Sequence, residues 1–322
     1  MKSEKNLFRK VNWKSVIFYA LLIAWPIIQF CIFYIGVNGS SIVISLKEFD
    51  SEGNFVKWGF GNFANILKSN VTTGTLGNDL NMARIGQATF ISVLTYVLTV
   101  VISVPLGLFF SYYIGKKLPL SGFFRVVLFL PSIIPEIVLI IIYRYFIICA
   151  MPEFVPSIGN ILSTKAGTAT PTQNYIAVMF YTLIITGFGT SVLMYSNAMG
   201  KVSTEMIEAA KLDGAKGFTE FWHIILPSVF PTVSVFLVTG ISGIFINQIH
   251  LLSFYQYSCP TQIQTFGYIL FHRSTEIVQT GAQLKENYAS VLSSFGLMLT
   301  AIAVPLTFIF KHFLNKFGPS DK

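Results

Sequence analysis

Residues 208–231, EAAKLDGAKGFTEFWHIILPSVFP, carry six ionisable side chains between two long apolar segments. Carboxylates and ammonium groups in such close succession can form ion pairs with another surface. The sequence places no Ser/His/Asp set, metal cluster or phosphate-binding loop for catalysis. The chemistry that this stretch offers is therefore recognition of a partner. Its ionisable residues are Glu208, Lys211, Asp213, Lys216, Glu220 and His223.

A second candidate is a carboxylate inside an apolar run. Glu136 lies eleven residues after Arg125, which is about 16 Å along a helix that rises about 1.5 Å per residue. Arg144 follows eight residues later, on approximately the same face. Ionisable groups at membrane depth usually face the bundle interior or a wet cavity. Glu136 can accept hydrogen bonds from a hydroxyl-rich ligand, but a paired or protonated structural carboxyl also explains it, and both interpretations stay open.

Other polar side chains interrupt the later apolar runs. Thr182, Thr186 and Thr190 recur every four residues, and Gly187 and Gly189 predict close approach of helices. These hydroxyls can contact a solute or can bond carbonyls of their own helix, so the sequence leaves both roles open. The candidate residues of a solute path are Glu136, Arg144, Thr186, Thr190, Asn197, Thr239, Asn247 and Gln248.

The composition indicates a protein of the lipid bilayer. The 322 residues are 53% hydrophobic and 11% charged, with a mean hydropathy of +0.65, whereas soluble domains carry about 25% charged residues. The net charge of +8 arises from cations between apolar runs, which indicates membrane topology rather than a nucleic-acid partner. Three cysteines and four histidines are scattered, and their spacing predicts no metal site.

Six segments are long enough to cross the hydrocarbon as helices, which takes about 20 apolar residues each. We therefore predict an all-α integral membrane protein with six transmembrane helices. The first segment is too long for a cleaved signal peptide, and we expect it to be an anchor. The predicted spans are Val16–Val37, Ile85–Ile114, Val126–Ala150, Tyr175–Met199, Val229–His250 and Tyr288–Phe310.

The distribution of lysine and arginine predicts the orientation, because these residues are enriched in short cytoplasmic segments. Both termini and the insert at 201–228 are predicted to be cytoplasmic. The loops 38–81, 152–174 and 253–287 are longer, mix cations with acidic residues, and are predicted to face outward. The cytoplasmic cations are Lys2, Lys5, Arg9, Lys10, Lys14, Lys116, Lys117, Arg125, Lys201, Lys211, Lys216, Lys311, Lys316 and Lys322.

The insert between spans four and five is predicted to form two helices joined by a glycine turn. Ser203 or Thr204 caps a helix that runs to about Leu212, and Asp213-Gly214 ends it. Small Ala209 and Ala210 side chains allow another surface to approach the helix closely. A linker lying in the headgroup region is the alternative. The second helix is expected to carry one apolar face and to stop at Pro227; that face comprises Phe218, Phe221, Trp222, Ile225 and Leu226.

The insert resembles the EAA loop of permease subunits in binding-protein-dependent ABC importers. The segments LPSIIPEIVLIIIYRYF at 130–146, IGN at 158–160, CPTQIQTFGYI at 259–269 and YASVLSSFG at 288–296 are similar to the carbohydrate-type branch of those permeases. The likeness covers about residues 85–313. The residues that match the EAA pattern are Glu208, Ala209, Ala210, Asp213, Gly214, Ala215, Phe221, Ile224, Leu226, Pro227 and Pro231.

The resemblance implies that the EAA helix docks in a cleft of a cytoplasmic ATPase, with Glu208 as the ion-pairing residue and Gly214 as the turn. It implies a second homologous permease, usually different from the first, two ATPase subunits, an extracellular solute-binding protein and a sugar or oligosaccharide substrate. The cell membrane of a bacterium is the expected location. The expected ATPase-coupling residues are Glu208, Ala209, Ala210, Asp213, Gly214, Ala215, Phe221, Leu226 and Pro227.

The chain itself is not expected to be an enzyme or to bind a cofactor. No G-x-x-x-x-G-K-[ST] motif is present, and the nearest fragment, Gly200-Lys201, lacks its other residues. ATP and Mg²⁺ are therefore expected to act in the partner ATPase. We predict an N-terminal region at 1–84, a permease core at 85–313 and a tail at 314–322. The alternative is a stand-alone proton- or sodium-coupled secondary transporter, but that class has inverted repeats and none is visible.

Overall fold

The computed structural model describes residues 13–50, 52–68, 80–162, 169–279 and 282–319. Several predicted cytoplasmic cations, namely Lys2, Lys5, Arg9, Lys10 and Lys322, lie outside these residues. The α-helical segments are Trp13–Gln29, Val37–Ser45, Gly61–Leu67, Met82–Leu98, Val104–Gly115, Ser121–Phe129, Glu136–Tyr145, Met151–Phe154, Pro156–Leu162, Pro171–Phe180, Gly189–Met199, Thr204–Leu212, Phe218–Glu220, Leu226–Ser242, Leu251–Tyr255, Phe266–Gln279 and Ala282–Phe317.

Shorter turns of other helix types connect several of these segments, so that long spans continue through them. Six stretches of the described chain are long and apolar enough to cross a bilayer, and the predicted number of spans is confirmed. The six spans are Val16–Ser45, Met82–Gly115, Glu136–Phe154, Pro171–Met199, Phe218–Ser242 and Asn287–Phe317. The π-helical turns are Phe30–Gly36, Thr99–Ser103, Phe146–Ala150, Tyr181–Ile185 and Phe221–Ile225, and the 3₁₀ turns are Leu130–Ser132 and Thr261–Ile263.

Span three is not the continuous helix that the sequence predicted over Val126–Ala150. Residues 133–135 are not helical, and Pro135 has φ −54° and ψ 128°. Two prolines explain the break: Pro131 and Pro135 lack the amide hydrogen for a helix bond and disfavour helical backbone at the residue before them. Glu136 is consequently the first residue of a new helix. The distance of about 16 Å from Arg125 assumed one unbroken helix and therefore does not apply.

Span five also differs from the prediction of Val229–His250. Its helix ends at Ser242, and residues 243–250 form turns. At the other end the helix is longer than predicted, because Pro227 does not stop it. Pro227 lies in the first turn of Leu226–Ser242, where the missing amide hydrogen of proline is tolerated.

Span four is interrupted in its middle, although the sequence predicted one helix with a threonine face. A π-helical turn ends at Ile185, and residues 186–188 are bent. A Cβ atom on Gly187 would lie 2.5 Å from the Leu183 carbonyl oxygen and 2.7 Å from Ser103 Oγ. Glycine is therefore required where span two approaches this bend, as the sequence predicted.

Two strands, β1 (Lys47–Phe49) and β2 (Phe55–Trp58), pair in antiparallel fashion after span one, with Lys47 opposite Trp58. The following helix, Gly61–Leu67, holds a buried amide: Asn62 Nδ2 donates to the carbonyl of Lys47 at 2.8 Å and to Ser290 Oγ at 2.6 Å. The sequence predicted this region as an outward-facing loop but did not predict the hairpin. The hairpin and the helix after it are thus fastened to span six.

Candidate functional site

The first half of the insert has the predicted helix and glycine turn. We call Thr204–Leu212 the loop helix; Ser203 caps it, and Ser203 Oγ accepts from the Met206 amide at 3.3 Å. Gly214 has φ +88°, a left-handed conformation. Its amide donates to the Lys211 carbonyl at 3.1 Å, and the Ala215 amide donates to the Ala210 carbonyl at 2.9 Å. These paired bonds form a Schellman motif, which a residue with a side chain adopts only with strain.

The loop helix leaves one face free in the described chain. Glu208 and Ala209 are exposed, Ala210 is half-buried, and Asp213 is exposed at the end of the helix. Leu212 is 89% exposed. A charged group, two small residues and an unburied leucine together can bind another surface by an ion pair and by close backbone approach.

The second half of the insert faces the bundle instead. Phe221 and Leu226 pack against the buried core around Tyr195, Ile225 and Val229. Pro227 is half-buried beside them. Three of the predicted coupling residues therefore lie between the loop and the bundle rather than on a free surface, namely Phe221, Leu226 and Pro227.

The prediction of one apolar face on this second helix is wrong. Phe218 and Trp222 stack on each other with ring centroids 5.9 Å apart and are 76% and 53% exposed, respectively. Phe221 and Ile225 point the other way, into the core. The helix changes to a π-helical turn at Phe221, which alters the angular spacing on which the predicted face was based.

The end of span two contacts the start of this second helix through a group of side chains that the sequence analysis did not predict. We call Tyr112, Lys116, Gly217, Glu220 and Phe221 the loop clamp. Tyr112 donates its hydroxyl to the Gly217 carbonyl at 3.1 Å, and its ring meets Phe221 edge-on with centroids 5.1 Å apart. Lys116 Nζ lies 2.8 Å from Glu220 Oε2 and 4.9 Å from the centre of the Tyr112 ring.

The two partners of the ion pair in the loop clamp differ in their exposure to solvent. The Glu220 side chain is 1% exposed and the Lys116 side chain 30% exposed. Burial lowers the pKa of the Lys116 ammonium, but hydrogen bonds with Glu220 and Tyr112 raise it, and the net direction is upward. Glu220 Oε1 is buried without a hydrogen-bond partner in the described residues. The pair thus holds a carboxylate that water does not reach.

A second group of polar side chains lies where the helices of spans three, four and five are interrupted. We call Glu136, Thr186, His250 and Ser253 the break cluster. Ser253 Oγ donates to Glu136 Oε1 at 2.6 Å, and His250 Nδ1 lies 2.9 Å from the same oxygen. His250 Nε2 lies 3.3 Å from Thr186 Oγ1. The Glu136 side chain is 46% exposed, so part of this carboxylate faces the surroundings of the cluster.

Other predicted path residues lie apart from the break cluster. Arg144 Nη1 donates to the Phe254 carbonyl at 2.9 Å, which ties span three to the same segment that carries His250. Thr190, Asn197 and Thr239 are exposed, and none of them shares a hydrogen bond with the cluster in the part of the chain that the structure describes.

The hydroxyl groups of span four behave partly as the packing interpretation expected. Thr182 Oγ1 donates to the Val178 carbonyl at 2.8 Å, and Thr186 Oγ1 donates to the Thr182 carbonyl at 3.2 Å. Thr186 also meets His250, which the sequence did not predict. His250 was not among the candidate path residues, because only the packing of separate spans brings it next to Glu136.

The remaining two predicted path residues follow the end of span five. Asn247 Oδ1 accepts from the Ile249 amide at 2.8 Å and so stabilises the turn. Asn247 also lines a cavity of about 90 Å³ with Thr95, Tyr96 and Thr265. Gln248 is half-buried beside it. Span two therefore contributes polar groups to this cavity that the sequence analysis did not single out.

Comparison with known proteins agrees with these features. The chain is 24% identical over 156 residues to the multiple sugar-binding transport system permease protein MsmF of Streptococcus mutans, covering 48% of this chain and 52% of MsmF. It is 27% identical over 245 residues to the arabinooligosaccharides transport system permease protein AraP of Halalkalibacterium halodurans, covering 74% of this chain and 71% of AraP. The match thus spans about half the length of MsmF.

Solved structures share the fold. A bacterial ABC transporter involved in the import of the acidic polysaccharide alginate matches with a TM-score of 0.69 at 15% identity, over 95% of this chain and 99% of that chain. The same kind of transporter, in complex with an alginate pentasaccharide-bound periplasmic protein, matches with a TM-score of 0.66 at 18% identity, over 97% and 99% of the two chains. The family model for the binding-protein-dependent transport system inner membrane component matches residues 103–319.

With six apolar spans and a match over two-thirds of its length, this multi-pass membrane chain belongs to the family of binding-protein-dependent transport system inner membrane components.

Proposed function

We propose that this chain is a permease subunit of an ATP-driven importer and that the loop helix docks a separate ATPase. The observation that carries the proposal is the exposure of Glu208, Ala209 and Leu212 on the loop helix, whose end is fixed by the Gly214 turn. Membership in the transport family supports it. A stand-alone carrier would have no use for such a face.

In the proposed contact, Glu208 pairs with a basic residue of the ATPase. Ala209 and Ala210 have no side chain beyond Cβ, so the partner's surface can approach the helix backbone. Asp213, Gly214 and Ala215 hold the helix at a defined angle to the second half of the insert. Phe221, Leu226 and Pro227 anchor that second half in the bundle.

The energy is proposed to come from the partner subunit. This chain has no phosphate-binding motif, so ATP and Mg²⁺ act in the ATPase and this chain carries out no hydrolysis. One loop serves one ATPase, and two ATPases therefore need two permeases, which we propose are different chains. Both termini lie on the ATPase side, and an extracellular binding protein delivers the solute from the other side.

The proposed solute is a sugar or oligosaccharide. The names of MsmF and AraP support this class. We propose that the solute passes the break cluster, because broken helices expose polar backbone and side chains that a transport path requires. Glu136 can accept and His250 can exchange hydrogen bonds with sugar hydroxyls. Both belong to one connected group of side chains.

The double variant Glu208→Lys, Gly214→Pro tests the docking role. The first change reverses the charge of the proposed ion pair, and the second cannot adopt φ +88° because proline is fixed near −65°. We expect normal insertion into the membrane, with the ATPase no longer co-purifying on an affinity tag carried by this chain.

Glu153→Lys is the matched control, since Glu153 is exposed and lies at the far end of span three. It makes the same change in charge and should leave the ATPase bound. Wild-type recovery of the ATPase with the double variant would show that the loop helix is not the docking site.

A further inference from the structure

Three links connect the loop helix to the membrane bundle. The chain itself supplies two of them: residues 200–203 join the loop helix to the end of span four, and the Gly214 turn leads from it into span five. The third is packing at Ile207, which contacts the core beneath the loop. A cavity of about 320 Å³ separates much of the loop helix from span two, and its lining includes Tyr112, Lys116, Ile207, Glu208, Lys211 and Glu220.

Because of this cavity, span two is attached to the insert through its second half rather than through the loop helix. That half is held by span two at successive positions along one helix turn. Gly217 and Glu220 accept hydrogen bonds from Tyr112 and Lys116, and Phe221 packs on the Tyr112 ring. Span five is continuous with the same helix.

The ion pair between Lys116 and Glu220 stabilises the contact of span two with the second half of the insert. A carboxylate that is 1% exposed is stable only while its partner stays in place. Glu220 Oε1 has no partner in the described chain, so Lys116 is the cation on which the charge of Glu220 depends. Separating span two from the loop would take this cation away from the carboxylate, which is unfavourable for as long as Glu220 stays shielded from water.

We propose that Lys116 and Glu220 are positioning residues which make span two move together with the loop. The inference rests on the proposed function, since the ATPase supplies the movement. It adds to that function a further route for the force: span two is displaced as a unit with the start of span five. The chain connections alone would deliver the movement to spans four and five.

Paired spin labels can measure this directly in the whole complex, isolated with its ATPase in lipid nanodiscs. One label replaces Thr219, an exposed residue between the clamp contacts, and the other replaces Phe109 on span two, which is 60% exposed. A reference pair joins Thr219 to Phe308 on span six, which is 67% exposed. The exposed Cys31 and Cys149 are first replaced by serine.

On addition of ATP and Mg²⁺, we expect the Thr219–Phe109 distance to stay constant within about 1 Å, whereas the reference distance shifts by about 2 Å or more. With Glu220→Gln, the Thr219–Phe109 distance should shift as well, because the buried charge no longer holds Lys116. Glu205→Gln, the same change at an exposed site of the loop helix, should behave like the wild type.

A nucleotide-dependent shift of the Thr219–Phe109 distance in the wild-type complex would overturn the proposal, as would a constant distance with Glu220→Gln. If Glu220→Gln does not fold, Tyr112→Phe removes the hydroxyl bond to Gly217 alone, and a constant distance there counts against the clamp. Loss of docking is recognised separately, because the ATPase is then absent from the purified complex before any distance is measured.

Discussion

The loop clamp and the break cluster are both built on a glutamate and a basic partner, yet their environments differ. Glu220 is 1% exposed and pairs with a lysine, while Glu136 is 46% exposed and pairs with a histidine and a serine. The first carboxylate is almost fully shielded from solvent, although Glu220 lines the cavity next to the loop helix. The second has an open side.

This difference indicates two roles for similar groups. A buried charge with one partner makes the positions of two helices depend on each other, because separating them costs the full desolvation of the charge. A half-exposed carboxylate costs less to release from its partner and remains available to another hydrogen-bond donor. The clamp therefore suits the transmission of movement, and the cluster suits contact with a passing solute.

The largest effect on stability is expected when Lys116 of the loop clamp is replaced. Lys116→Met leaves Glu220 buried without its cation, and we expect the free energy of unfolding to fall by about 2 kcal/mol, between the values for surface and fully buried pairs because Lys116 is partly exposed. Thermal unfolding of the purified chain in detergent measures it. Lys117→Met, at the exposed neighbouring position, should change stability little. Equal stability of the two variants would show that the clamp holds no essential charge.

A smaller effect on stability is expected when Gly214, at the turn after the loop helix, is replaced. Gly214→Ala forces a side chain into a left-handed conformation at φ +88°, and we expect a loss of about 1 kcal/mol in the same unfolding measurement. Gly200→Ala is the control, because Gly200 has φ −68° and a Cβ atom there would make only ordinary contacts. An equal loss in both variants would contradict the role given to the turn.

The smallest effect on stability is expected at the break cluster. Glu136→Gln retains the shape of the side chain and its bond from Ser253, so the unfolding free energy should fall by only about 0.5 kcal/mol. Uptake of the sugar carried by the co-expressed binding protein should fall about ten-fold if Glu136 contacts the solute. Glu153→Gln is the matched control. Unchanged uptake with Glu136→Gln would remove this residue from the path.

Local signals in the sequence predicted local structure well. The cap at Ser203, the turn at Gly214 and the number of spans each depend on a few neighbouring residues or on composition, and the structure confirms them. The break in span three also had a local signal in Pro131 and Pro135. The continuous apolar run around these prolines masked it, because hydropathy does not detect missing backbone bonds.

The polar pairs could not be predicted in this way. Lys116 and Glu220 are 104 residues apart, and Glu136 and His250 are 114 apart. The periodicity of one helix reports which of its faces is apolar but not which helix packs against it. His250 also adopts φ +61°, a conformation uncommon for a residue with a side chain, and nothing near it in the sequence indicates that.

The buried amide of Asn62 has a consequence for how the chain is made. Its partner Ser290 is 228 positions further on, and Ser294, also from the last span, donates to the Ser45 carbonyl at 2.9 Å. During synthesis the ribosome releases the hairpin of β1 and β2 long before it releases these serines. The hairpin can therefore dock only when the final helix enters the bilayer, so that completion of the whole polypeptide, and not of its first third, sets the moment at which this end of the bundle closes.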